Sequence, residues 1–456
     1  MQNILGVDPI NRLIAKFSIP AIISMLVGAL YNTVDQIFIG NGVEDIAIGA
    51  TTIAFPIVTV CIAVALLTGV GGAANYNLES GRGNDSRARH AAGNALFLMC
   101  AGGLTIMLAV LLFLAPILRF CGVTDNLLGY STTYAGITAF GLPFLVLTSG
   151  GAHLIRADKS PNYSMACMLS GTILNTILDP LFIFVCKWGI AGAAWATVIG
   201  QAVSAFMVAF YFLKRQKMEL TWRDLRPVRR RIKRIMALGS ASSINQISML
   251  VVQIVMNNQL TGYGALSAYG ADIPVTCAGV VAKTGMIFMG ISIGISQGCQ
   301  PVWGFNYGAK NYSRVIETYK KAAVICLSAG VIFFLLFQIF PARIISMFGV
   351  KSEAGMIFAT RYFRIFMFMT FINGLQPMSS GFFTAIGKAR LGIITSVTRH
   401  ILFFTPLIII LPLFWGIDGI LFAGPIADCA AAVVAIFFAL REISRLSRQK
   451  LPEQAL

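Results

Sequence analysis

The pentapeptide Trp188-Gly189-Ile190-Ala191-Gly192 returns 227 positions later as Trp415-Gly416-Ile417-Asp418-Gly419. At the same offset, Gly81-Arg82-Gly83-Asn84-Asp85-Ser86-Arg87 returns as Gly308-Ala309-Lys310-Asn311-Tyr312-Ser313-Arg314. In a chain of 456 residues this offset is close to half the length, so the fold is built from two like halves. Long apolar runs separate the motifs, not the alternating segments of about ten residues that build a barrel, so the runs are membrane-crossing helices. Charged residues are 12% of the chain and hydrophobic ones 57%, whereas a soluble domain is about 25% charged. Twelve spans can be placed between Leu13 and Arg441, six in each half. An even number returns the chain to the side it left, which makes the halves parallel repeats about an axis along the membrane normal. The expected fold is therefore an all-α integral membrane protein of twelve transmembrane helices in two six-helix bundles. Residues 1–213 form the first bundle, 214–234 a basic connector, 235–441 the second bundle and 442–456 a tail. A cavity between two such bundles suits alternating access better than a channel.

The net charge of +17 raises the question of nucleic acid. The distribution argues against it. With the N-terminus on the cytoplasmic side, 27 of the 35 Lys and Arg fall on that side, in the even loops and at both termini. Arg119, Lys187, Arg343 and Lys351 fall on the other side, and Lys283, Arg361, Arg364 and Arg399 lie within spans. This is the positive-inside pattern, and both termini are expected to be cytoplasmic. Arg12 and Lys16 lead directly into a full-length first span, which reads as an uncleaved anchor. The connector from Lys214 to Arg234 carries ten Lys and Arg; it reads as a solvated loop that fixes topology, or as a docking site for anionic lipid. Nine cysteines without a CxxC pair and three isolated histidines give neither a disulfide frame nor a metal cluster. No paired His/Cys or Ser/His arrangement supports an enzyme, and no cofactor is implied.

The fifth span, Met168 to Phe184, contains an acid. An aspartate at the centre of a spanning helix costs about 3 kcal/mol on insertion scales, so it faces the protein interior and is usually functional. Asn175 and Asp179 are four apart, on one helical face, and Met168 lies on the same stripe. Pro180 has no N–H, which leaves the Thr176 carbonyl without its helical donor. A carboxylate, an amide and a carbonyl together suit a hard cation or a proton relay; the alternative is a structural aspartate paired to a neighbouring helix. At 1.5 Å per residue, Asp35, Asp179 and Thr197 lie at comparable depth, about 8–12 Å in from the outer ends of their spans, with Tyr134 shallower. They could therefore share one site in the N-terminal half. Two carboxylates at one buried site repel unless a proton or a metal cation lies between them.

The C-terminal half differs. Spans seven and ten contain no Asp or Glu. Asp428 in span twelve has Arg399 in span eleven or Lys283 in span eight as a candidate structural partner. Met168, Gln246, Gln253, Met286, Arg364 and Asn373 are the candidate lining of a substrate cavity, in a chain whose 18 Met and 33 Phe suit an adaptable apolar pocket.

Leu30-Tyr31-Asn32-Thr33-Val34-Asp35-Gln36-Ile37-Phe38-Ile39-Gly40 resembles the first-span signature of the MATE (multidrug and toxic compound extrusion) transporters. Gly171 to Pro180, the Gly81–Arg87 loop and Pro425-Ile426-Ala427-Asp428 are similar to it too; the last, with Ser396-Val397-Thr398-Arg399, resembles the MepA-like bacterial branch. The resemblance implies a V-shaped pair of bundles in a bacterial inner membrane and export coupled to inward flow of H+ or Na+. It implies a cation site at Asp35, Tyr134, Asn175, Asp179 and Thr197, with Na+ placed at Asp35, Asn175 and Asp179 if sodium is the ion. Coupling through acids in spans seven and ten is not matched. The implied cargo is small organic cations or amphiphiles, carried by a monomer embedded in lipid. The rival within transport is a flippase for a lipid-linked saccharide, which would need a strongly basic cavity; Arg361, Arg364 and Arg399 are the residues that could build one.

Overall fold

The structure, a computed structural model, describes residues 4–42, 45–123, 125–270, 272–348 and 352–450. Lys351 and the last six residues of the tail lie outside them. The described residues form helices and no strand. Among the described residues ten helices are long and apolar enough to cross a membrane, and two bent pairs, each taken as one span, bring the number to twelve.

The N-terminal half comprises the first span, Ile10–Gly42, the second, Asp45–Gly81, and the third, Asp85–Leu112. The fourth is bent by 52° between Asn126–Ala139 and Leu142–Ala157, with Pro143 in the first turn of the second segment, where its missing N–H costs nothing. The fifth is Pro161–Pro180, followed by a π-helical turn over Leu181–Val185, directly after the proline that interrupts the hydrogen-bond ladder. The sixth is Gly189–Phe210. The C-terminal half repeats this: Arg229–Ala265, Asp272–Gly308, Tyr312–Ile339, a tenth span bent by 46° after Phe366, an eleventh from Ala389 to Trp415, and Ile417–Lys450.

The 227-residue repeat extends into the backbone. The third span and the short helix Leu114–Phe120 match Tyr312–Ile339 and Pro341–Met347 residue for residue at that offset. Gly189 and Gly416, which open the sixth and twelfth spans, have φ of +55° and +57°. A side chain is strained in that region, which explains the glycine in both copies of the Trp-Gly-Ile motif.

Between the halves, close packing is concentrated at the end that carries the connector. A Cβ on Gly71 would lie 2.0 Å from the Ile235 carbonyl oxygen, and one on Gly239 1.8 Å from that of Leu67. Gly298 and Gly294 of the eighth span lie against Ser18 and Ile22 of the first, where a Cβ would fall 2.4 and 2.7 Å from the nearest atom. Cross-half bonds lie here too: Asn306 Nδ2 to the Leu5 carbonyl at 2.8 Å, and Arg234 to Glu79 at 2.9 Å, with Arg82 on the same Glu79 oxygen. Toward the opposite end, the buried apolar clusters each belong to one half, Ile39, Ala50, Ile183 and Ile190 in one, Leu260, Phe358, Ile408 and Ile420 in the other. Among the described residues, the tight contacts between the halves thus lie toward the connector end.

The connector is mostly exposed, its Lys and Arg nearly all among the exposed residues, but it is also docked. Met218 and Asp224 are buried, and Asn94 of the third span donates to the carbonyls of Asp224 and Arg226 and accepts from the Val228 N–H. Thr221 and Asp224 cap the short turn Trp222–Leu225 reciprocally. The segment is a docked strap across the N-terminal half, with its arginines on the outside.

Candidate functional site

Small residues decide how spans five and six meet. A Cβ on Gly171 would fall 2.3 Å from the Gly200 carbonyl oxygen and 2.2 Å from Ser204 Oγ, so no larger residue fits this crossing. Ser204 Oγ accepts from the Gly171 N–H at 3.1 Å. One turn further along, the close approach sets Asn175 Nδ2 at 3.4 Å from both Thr197 Oγ1 and Asp179 Oδ1. Thr197 in turn donates to the Ala193 carbonyl at 3.0 Å, which fixes its hydroxyl.

Asp179 is fully buried and Asn175 and Asp35 nearly so. The Asp35 carboxyl, from the first span, lies beside that of Asp179. Tyr134 from the fourth span reaches the Thr197 hydroxyl and faces both acids. The structure thus brings Asp35, Tyr134, Asn175, Asp179 and Thr197 into one cluster drawn from four spans. Thr176 is half-buried, its hydroxyl donating to the Thr172 carbonyl at 2.9 Å. Tyr31 belongs to the cluster and was not among the expected residues: its phenol lies against Asp35, Asp179 and Tyr134 and reaches Thr197. The signal was present, since Tyr31 is one helical turn before Asp35. Among the described residues, Asn175 Oδ1 and Asp179 Oδ2 are buried acceptors with no donor. Such groups normally find partners, so a site of this kind asks for a proton or a cation. No group of three or more His, Cys, Asp or Glu occurs among the described residues, so any metal here would be held by two carboxylates with amide and hydroxyl oxygens.

In the C-terminal half, Arg399 Nε donates to Asp428 Oδ1 at 2.6 Å and Asn373 Nδ2 to Asp428 Oδ2 at 3.1 Å. Both carboxylate oxygens are engaged, and Lys283, exposed on the eighth span, is not the partner. The cavity candidates are dispersed. Asn373 is held in this triad. Arg364 is exposed and lines a recess of about 480 Å³ with Arg361, which pairs with Asp418 at 2.8 Å. Met286 and Gln253 are exposed, and Met168 and Gln246 are half-buried. A further residue emerges where the halves meet: buried Arg156 donates to Gln297 of the opposite half at 3.0 Å and to Ser164 at 3.1 Å, and lies against His153.

The sequence model of the MatE family matches residues 20–181 and 239–410, one segment in each half. The multidrug export protein MepA of Staphylococcus haemolyticus (strain JCSC1435) is 25% identical over 447 residues, covering 97% of this chain and 96% of its own. MepA of Staphylococcus aureus (strain N315) is 25% identical over 454 residues, covering 98% and 97%. An outward-facing multidrug resistance MATE family transporter of the MOP superfamily superposes at a TM-score of 0.90 and 25% identity, over 98% of both chains. MATE in complex with MaD3S superposes at 0.90 and 24%, again over 98% of both. Matched in both halves by the family's model and sharing its fold from end to end, this chain belongs to the MatE family.

Proposed function

We propose that the chain is a secondary active exporter of a bacterial cytoplasmic membrane. It extrudes organic cationic amphiphiles in exchange for H+ or Na+, by alternating access, with the connector end cytoplasmic. The observation that carries the coupling site is the adjacency of two buried carboxylates, Asp35 and Asp179, with Asp179 Oδ2 and Asn175 Oδ1 lacking a donor among the described residues. A coupling ion shifts the equilibrium between states only if it binds one state better than the other. Asp35 comes from a span that packs against the opposite half near the connector end and against its own half at the site, so closure of the cleft moves one carboxylate relative to the other. Asn175 and Thr197 orient the fixed carboxylate, and the phenols of Tyr31 and Tyr134 supply hydroxyls that can follow either a proton or a sodium ion. Relatives named as multidrug exporters support the cargo class.

Two of the three arginines that could build the basic cavity of a flippase are already paired, Arg399 with Asp428 and Arg361 with Asp418, and Arg364 lines an exposed recess beside Arg361. The test is dye efflux by purified protein in proteoliposomes, first under an imposed pH gradient and then under a sodium gradient. Efflux of an ethidium-like or phosphonium cation driven by one of the two is expected. Transport of neither cation under either gradient, with lipid-linked saccharide moved instead, would overturn the proposal.

A further inference from the structure

Near the connector end, a crevice of about 770 Å³ lies between the start of the eleventh span and the extension of the twelfth beyond the apolar core. That volume is in the range of small-molecule sites. Its deeper wall is apolar, from Leu391 and Phe438, and its outer wall is cationic. Arg441, Arg445 and Arg448 follow one another at four and three residues, so they stand on one helical face. Lys388 Nζ is paired with Glu442 Oε2, which leaves the three arginines with no carboxylate partner among the described residues. With four cations against one anion, the crevice carries a net charge of +3. The positive-inside pattern accounts for basic residues on this face, but it does not account for Glu442. This side chain is 4% exposed, it lines the crevice, and its Oε1 has no hydrogen-bond partner among the described residues.

We propose that this crevice is a binding site for an anionic phospholipid with a hydroxylated headgroup, of the phosphatidylglycerol type. The phosphodiester accepts from the arginines, which are suited to forked contacts with phosphate oxygens. A small rotation of the Glu442 side chain turns Oε1 toward the crevice, where a headgroup hydroxyl donates to it and relieves the buried acceptor. The acyl chains run past Phe438 and Leu391 into the bilayer. Basic pockets between spanning helices on the cytoplasmic side are a recurrent setting for acidic lipid headgroups. A lipid seated here bridges spans eleven and twelve, the same two helices that carry Arg399 and Asp428 deeper in the membrane. The site stands on its own residues and does not depend on the identity of the exported compound or of the coupling ion.

The experiment is native mass spectrometry of the full chain released from micelles containing equal amounts of phosphatidylglycerol, phosphatidylethanol and phosphatidylcholine. Phosphatidylethanol has the same charge as phosphatidylglycerol and no headgroup hydroxyl. Retention of phosphatidylglycerol should exceed that of phosphatidylethanol at least threefold and that of phosphatidylcholine tenfold. Arg445→Gln/Arg448→Gln, at two exposed positions, should abolish the preference. Equal retention of phosphatidylglycerol and phosphatidylethanol by the unmodified chain would overturn the contact to Glu442, and this comparison needs no variant to fold. An unchanged preference in the double variant would overturn the crevice as the site. Displacement of the lipid by millimolar glycerol 3-phosphate would assign the crevice to a soluble phosphate ester and overturn the lipid reading.

Discussion

Replacing Gly171 by alanine adds one methyl group at the crossing that positions the buried cluster of Asn175, Asp179 and Thr197, the proposed cation site. In the structure that methyl would meet the Gly200 carbonyl oxygen at 2.3 Å and Ser204 Oγ at 2.2 Å. Ordinary contact begins at 3.4 Å, so the two spans must separate by about 1 Å. Overpacking of this kind costs about 1–3 kcal/mol. The functional cost is larger. Asn175 Nδ2 is already 3.4 Å from Thr197 Oγ1, at the limit of a hydrogen bond, and a further separation of about 1 Å breaks it. Asn175 then no longer ties span six to the Asp179 face. Gradient-driven efflux in proteoliposomes should fall at least tenfold, while thermal unfolding in detergent shifts by only a few degrees. Gly200→Ala presses on the same contact, at 2.6 Å from the Gly171 carbonyl oxygen, so the double variant should lose less than the sum of the two. Wild-type efflux and unfolding in Gly171→Ala would show that the crossing does not set the site.

Asp428→Asn leaves the half-buried Arg399 without a counter-charge and should destabilise the protein by about 3 kcal/mol. Arg399→Met combined with Asp428→Leu should recover much of that in detergent unfolding; additive losses would contradict the pairing. Single cysteines at Ser86 and Ser313, in a background freed of native cysteines, should both resist impermeant thiol reagents in whole cells; labelling of one alone would contradict the parallel repeat. The connector should dock in a pH-dependent way. Asp158 is buried, and burial pushes its carboxyl up to about 6, against hydrogen bonds from the Lys217 N–H and the Tyr211 hydroxyl. Because this lies above the unfolded value, the stabilisation, on the order of 3 kcal/mol, is complete below about pH 4 and is lost as pH rises through about 6. Protection factors in residues 214–228, corrected for the intrinsic pH dependence of amide exchange, should therefore be higher at pH 4.5 than at pH 7, and Asp158→Asn should remove the difference. A wild-type connector equally protected at both would contradict it.

Patterns along one helix were legible in the sequence; contacts between helices were not. The four-residue spacing of Asn175 and Asp179 already put them on one face, and depth counting put Asp35 and Thr197 at their level. Which spans touch depends on surfaces that no spacing encodes. Gly171 reads as an ordinary small residue until Gly200 is seen against it. The same limit left Asp428 with two possible partners, of which the structure selects Arg399. Tyr31 was missed for another reason: phenols in apolar spans are common, and only the acids around it mark this one. The docking of the connector was not legible because charge dominates its composition, whereas Asn94, an ordinary polar residue 130 positions away from Asp224, holds it down.

The central claim is that the coupling ion binds in the N-terminal half at Asp35 and Asp179. The direct measurement is gradient-driven efflux by Asp179→Asn and Asp428→Asn in proteoliposomes, with the amount of folded protein matched. Asparagine cannot exchange a proton and gives a metal cation no charge, so Asp179→Asn should abolish coupled efflux while Asp428→Asn, once folded, retains it. Full coupled efflux by Asp179→Asn, with loss in Asp428→Asn, would move the coupling site to the C-terminal half.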